Sequence, residues 1–174
     1  LLALIARKEI DGIVAVHLYG QIMELDELLD KAGKNNIYII EDAAQAFGAT
    51  YNGAHPGKSG VATCVSFDPT KVVGAYGSGG MILTDNDDLK DRAVQLRYHG
   101  HTGNRIYQNI GHNSQLASVQ AAILLVKIKY YKKWEKKRIL IAEQYSELLK
   151  GISEIETPKV AVGNKHIFHK YVLR

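Results

Sequence analysis

Short apolar runs separated by polar turns dominate the first half of the chain. Ile13 to Val16 follows the Asp11-Gly12 turn, Ile37 to Ile40 is a second run, and Val61 to Phe67 and Met81 to Thr84 are a third and fourth. Each is rich in β-branched residues and apolar throughout, which predicts buried strands of a mostly parallel sheet. Between the first two runs, Leu25 to Ala32 has helical spacing, with Asp26 near its start and Gly33 as a stop. The order strand, helix, strand predicts an α/β fold in which ligands gather outside the carboxyl ends of the strands.

Leu1 to Lys8 reads as the end of a helix. The glycines, Asn52 and Pro56 between Gly48 and Gly60 predict an exposed loop, Asn86 to Tyr98 an acid-opened amphipathic helix, and Gly100 to Gly111 a polar loop. From Leu116 to Leu148 apolar residues recur every three or four positions, which predicts one long helix closed by Gly151. His166 to Leu173 reads as the first strand of a unit that the chain does not finish.

Composition narrows the class. Of 174 residues 46% are hydrophobic and 23% charged, as in an ordinary α/β domain and unlike a disordered chain. A lone Cys64 makes no intramolecular disulfide and points to a reducing cytosol. The apolar start is broken by Arg7, Lys8 and Glu9, so a signal peptide or membrane anchor is not expected. The net charge of +4 comes from one stretch, Lys127 to Arg138, interleaved with Tyr130, Tyr131 and Trp134. It reads as the solvated face of the long helix, and no nucleic-acid partner is expected.

Three strand ends carry the chemistry. Glu41-Asp42-Ala43-Ala44-Gln45 closes the second run, Ser66 stands at the end of the third, and Lys71 follows Asp68-Pro69-Thr70. Asp42 alone could be a helix cap and Lys71 a solvated loop lysine. A lysine shielded from water loses affinity for its proton and becomes a Schiff-base nucleophile. Together the pair suits pyridoxal phosphate, which needs a lysine for its aldehyde and an acid beside its ring nitrogen. Gly74 to Gly80 lacks the ending of a P-loop and reads as a place where backbone passes close to a ligand. His99-x-His101 and His166-x-x-His169 lack further ligands at metal spacing.

Val16 to Gln21, Glu41 to Ala46, Ser66 to Lys71, Gly74 to Gly80, Leu96 to Gly100, Gly111 to Ser114, Gln120 to Ile123 and His166 to Arg174 together resemble the DegT/DnrJ/StrS-type nucleotide-sugar aminotransferases. The resemblance implies a three-layer α/β/α large domain of aspartate aminotransferase fold type I, here incomplete. Residues 1–150 would be part of that domain and residues 151–174 the start of a small domain. It implies a cytoplasmic enzyme that uses pyridoxal 5'-phosphate, takes an amino group from glutamate and places it on a nucleotide-linked keto-deoxysugar, for polysaccharide or glycoside biosynthesis.

Position by position, the resemblance implies Lys71 as the lysine bound to the cofactor aldehyde and as the catalytic base. Asp42 is the implied partner of the ring nitrogen, Gln45 of the ring hydroxyl, and Ser66 of the phosphate. Asn113 would reach the phosphate in the neighbouring subunit's site, which implies a homodimer. Tyr76, His99 and His169 would line the sugar site, and Gln45 favours a 3-keto sugar, with dTDP as the expected nucleotide. The family usually has an aromatic residue at Asp68, an acid at Ser78, and often Arg and Asp at Gln115 and Ala117. Asp68 would place a carboxylate beside Lys71 and raise its pKa. The family's phosphate-binding helix start and ring-stacking aromatic have no counterpart before Leu1, so the chain reads as a piece of a longer protein with apolar surface left uncovered. The alternative is a catalytically incomplete remnant with a structural role.

Overall fold

The β-branched runs form strands β1 (Gly12–Val16), β2 (Tyr38–Asp42), β3 (Thr50–Tyr51), β4 (Ala62–Ser66), β5 (Gly80–Leu83) and β6 (Asn164–Lys165). In this computed structural model, which describes residues 1–57, 59–103 and 106–174, a four-stranded sheet has the order β1-β2-β4-β5. The first three strands are parallel and β5 is antiparallel to β4. β3 and β6 form a separate antiparallel pair. The exposed loop expected over 48–60 is only partly so, since Thr50–Tyr51 form β3 and Ala49 is buried; the loop expected over 100–111 is present, and 58, 104 and 105 lie outside the described residues.

Helices α1 (Leu2–Ala6) and α2 (Asp26–Lys34) cover one face of the sheet. Ile5, Leu25, Leu28 and Ala32 pack there on Ile13, Ala15, Ile37 and Ile39. Gly33 lies inside α2 and does not end it; the chain turns at Asn35 and Asn36, the latter with φ 56°. The opposite face is open. Val14, at 63% exposure, Val16, Ile40 and Ile82 are all solvent-exposed on it. The expected cover on both faces is therefore present on one, and burial alternates along β1 and β2 although their sequences do not.

Helix α3 (Asp87–Leu96) is opened by Asn86, whose side chain accepts the Leu89 N–H at 2.9 Å. The single long helix expected after Leu116 is two, α4 (Ser118–Ile128) and α5 (Tyr131–Leu148). The break comes where Lys129 and Tyr130 donate to carbonyls three residues back, at Val126 and Lys127, which tightens the last turn of α4. Tyr131 then enters the second core cluster, with Phe67, Val73, Leu124 and Ile167. Among the described residues no helix is long and apolar enough to cross a membrane.

The segment His166 to Leu173 is not the strand its pattern suggests. Phe168 has φ 47°, and the N–H groups of Ile167 and Lys170 go to the carbonyls of Gly20 and Tyr19 and not to a sheet ladder. The pairing in this region is made just before it, where Asn164 and Lys165 meet Tyr51 and Thr50.

Candidate active site

Parallel pairing lines up the ends of β1, β2 and β4. Val16 pairs with Asp42 and Asp42 with Cys64, and Ser66 lies two residues further along β4. Because side chains alternate across a strand, Asp42, Cys64 and Ser66 share the open face. Asp42 Oδ1 accepts the Ala44 N–H at 2.9 Å, an Asx turn that bends the chain off the sheet toward Gln45. The exposed Cys64 thiol is pushed up by partial burial and by the charge of Asp42, so that carboxylate acts directly on the same face.

Beyond β4, Ser66 Oγ accepts the Asp68 N–H at 3.3 Å, and Lys71 N–H donates to Asp68 O at 2.9 Å, closing a turn. The half-buried Lys71 makes no side-chain hydrogen bond or ion pair among the described residues. Asp68 does not take it as an ion-pair partner. Its Oδ1 accepts both the Thr70 hydroxyl, at 2.6 Å, and the Thr70 N–H, at 3.0 Å. Those two bonds hold the Asp68 carboxyl below the usual range, with Lys71's charge as a smaller contribution.

Gln45 Oε1 accepts the Tyr19 N–H at 2.9 Å, which leaves its amide NH2 to donate elsewhere. His169 is half-buried on the segment bonded to the Tyr19–Gly20 turn, and it borders a hollow of about 430 Å³ lined also by Trp134, Arg138, Phe168 and Tyr171. Burial pushes its pKa down, and the charges of Lys71, Arg138 and Lys170 push the same way. The charge of Lys71 thus reaches His169. Tyr76 is 76% exposed on the glycine-rich turn, its ring 5.1 Å from Lys127 Nζ. His99 and Asn113 stand apart from the strand ends, in the α3–α4 connection. There His99 N–H donates to His112 O, and Tyr98 bridges Asn113.

Residues not singled out from the sequence hold these elements in place. His17 is fully buried, and its Nε2 meets Glu41 Oε2 at 2.8 Å. Glu41 Oε1 accepts the N–H groups of Gly57, Ser59 and Gly60 at 3.0–3.2 Å and the Thr63 hydroxyl at 3.3 Å. Burial alone would raise the Glu41 pKa, but His17 and these backbone donors outweigh it and hold the group at about 2. The sequence carries no signal that separates Glu41 from Asp42, since Ile39 and Ile40 are both apolar; only the burial pattern of the strand puts Glu41 in phase with the buried Ile39. On the glycine-rich turn, Gln120 Oε1 accepts the Tyr76 N–H at 2.8 Å, and Lys127 Nζ donates to Gly74 O. A Cβ at Gly74 would meet the carbonyl oxygens of Asp68 and Pro69, so this glycine lets the turn fold back on the segment that carries Lys71.

The pattern of the DegT/DnrJ/EryC1/StrS aminotransferase family matches residues 2–174. Among curated relatives, a pleiotropic regulatory protein of Geobacillus stearothermophilus is 42% identical over 165 residues, covering 94% of this chain and 44% of that protein. A dTDP-3-amino-3,4,6-trideoxy-alpha-D-glucose transaminase of Micromonospora megalomicea subsp. nigra is 38% identical, covering 94% and 45%. Among solved structures, S. venezuelae DesV in complex with a ketimine intermediate superimposes with a TM-score of 0.88 at 33% identity, over 94% of this chain and 44% of that one. The chain spans less than half the length of the relatives it matches.

Proposed function

The chain belongs to the DegT/DnrJ/EryC1/StrS aminotransferase family, and on that premise we propose that the protein carrying it transfers an amino group from glutamate to a keto carbon of a nucleotide-linked deoxysugar. The observation that carries this reading is the shared placement of Asp42 and Ser66 on one face at the ends of adjacent strands, with Lys71 in the turn that follows. Pyridoxal phosphate is the cofactor of this family, and when bound it supplies an aldehyde and a ring that accepts electrons.

The donor set fits that group. Asp42 has a carboxylate oxygen beyond the one held by Ala44, and Ser66 has a hydroxyl proton to give. Gln45 has a free amide NH2, and Lys71 has an amine without an ion-pair partner among the described residues. With the cofactor bound, Asp42 would hold a proton on the ring nitrogen, Gln45 would donate to the ring hydroxyl and Ser66 to the phosphate. Lys71 Nζ would hold the aldehyde carbon, its oxygen leaving as water, and as a free amine would take the proton from the donor's α-carbon. His169, within the field of Lys71, faces the sugar in this reading.

The relatives named for 3-amino sugars support a dTDP-linked 3-keto-6-deoxyhexose as acceptor. Residues 1–150 belong in this reading to the cofactor-binding large domain and residues 151–174 to the start of a small domain. The exposed Asn113 reaches a second subunit's phosphate in a homodimer. The full-length protein should be yellow with pyridoxal phosphate, and borohydride should fix the label on Lys71. A colourless protein, or label fixed elsewhere, rejects the reading. The open sheet face and the partial span favour a second reading for residues 1–174 alone, that of a catalytically incomplete piece. Tight cofactor binding and turnover by those residues alone would reject it.

A further inference from the structure

Glu41 and His17 join four segments that the proposed reaction does not otherwise connect. Glu41 gathers five donors, from the end of β1, from the 57–60 loop and from β4. His17 passes the arrangement on. Its Nδ1 accepts the Met23 N–H at 3.1 Å, so its ring proton lies on Nε2, toward Glu41. Its own N–H donates to the carbonyl of Asp42 at 3.0 Å. Both ends of the 17–23 turn are thereby tied to one buried side chain.

That turn touches the site on two sides. Tyr19 N–H meets Gln45 Oε1 at 2.9 Å, which aims the amide of Gln45. Tyr19 and Gly20 carbonyls accept the N–H groups of Lys170 and Ile167, on either side of His169. The approach is close enough that a Cβ on Gly20, at φ 107°, would lie 2.7 Å from His169 N. Gln45 and His169 are therefore positioned through the same turn, and the turn is positioned by His17.

We propose that Glu41 and His17 are positioning residues for the cofactor site, acting through the Leu18–Gly20 turn on Gln45 and the His169 segment and through the backbone on Asp42. The inference rests on the proposed function. At metal sites, loosening the groups that orient the ligands costs about tenfold or more in affinity, and the same orienting logic applies here.

The test uses the full-length apoprotein titrated with pyridoxal phosphate. Cofactor Kd, the pH midpoint of the visible band and the apoprotein Tm are read together. Glu41→Gln and His17→Leu are expected to weaken binding about tenfold or more and to move the midpoint. His17→Gln keeps a donor for Glu41 and should recover part of both. A lower Tm with wild-type Kd and midpoint would make the pair merely structural and overturn the proposal. If Glu41→Gln does not fold, Thr63→Val, which removes one of the five donors, reads the same effect at smaller size. Wild-type Kd and midpoint in both Thr63→Val and His17→Leu overturn it equally. If the wild-type protein forms no visible band, the proposed function itself fails; a wild-type band with unchanged variants removes only this inference.

Discussion

Glu41 and Asp42 are neighbours in sequence and face opposite sides of the same sheet. Glu41 is 1% exposed under a set of five donors, whereas Asp42 stands half-exposed on the open face with Cys64 and Ser66. A one-residue slip of β2 would exchange a structural carboxylate for a reactive one. The donors on Glu41 make that slip expensive.

Lys71 is half-buried in a turn and outside both core clusters. Lys71→Ala in the full-length protein should abolish borohydride-fixed label and transamination while changing Tm by no more than a few degrees. A tryptic map after reduction checks the first outcome and calorimetry the second. Retained turnover without added amine would remove Lys71 from the chemistry.

Asp42→Asn should keep cofactor bound and slow proton abstraction about a hundredfold or more, because an amide does not hold a proton on the ring nitrogen. Single-turnover rates check this. The same variant tests the local field without cofactor. Asp42 is one of the two causes raising the Cys64 thiol, so in Asp42→Asn the pH midpoint of Cys64 alkylation should move down. An unmoved midpoint would mean that the charge does not act across the face.

The Glu41 carboxyl is held at about 2, below its ordinary value of 4.5. A depressed acid contributes stability that is complete above the unfolded value and is lost as pH falls through the folded one. That contribution, on the order of a few kcal/mol, should disappear between about pH 4.5 and about pH 2. Urea unfolding of wild type and Glu41→Gln should differ most at neutral pH and converge in acid. A gap that stays constant across this range would refute the assignment.

Gly48 has φ 87°, and a Cβ there would collide with the Tyr131 hydroxyl, which donates between Phe47 O and Glu135 Oε1. Gly48→Ala therefore combines a strained backbone with overpacking and should cost about 3 kcal/mol. Denaturant midpoints check this. Tyr131→Phe, which removes the colliding oxygen, should cost less in the Gly48→Ala background than in wild type.

The sequence reveals β1, β2 and β4 because their β-branched runs are short and bounded by turns, and the strand ends then follow from parallel topology. It does not reveal the break between α4 and α5, since apolar spacing continues through Val126, Tyr130 and Trp134 without interruption. β6 is two residues long and exists only through its distant partner β3, so no local pattern encodes it. The strand expected over 166–173 fails at Phe168, whose positive φ lies between the Ile167 and Lys170 N–H groups that bond to the Gly20 and Tyr19 carbonyls. Asp42, Ser66 and Lys71 were visible as polar residues at strand ends. Glu41 and His17 carry the same polar signature, and only the alternation of burial separates support from site.

The bare face around Asp42 has an electrostatic consequence. Val16, Cys64 and Ile82 share its row across the sheet, and all three are solvent-exposed. While water wets that row, the field of the carboxylate is damped by a high dielectric. A layer laid over these side chains would exclude the water and strengthen the same charge several-fold without moving an atom of it. The reach of that charge is therefore set less by its neighbours in β2 than by whatever closes over Val16, Cys64 and Ile82.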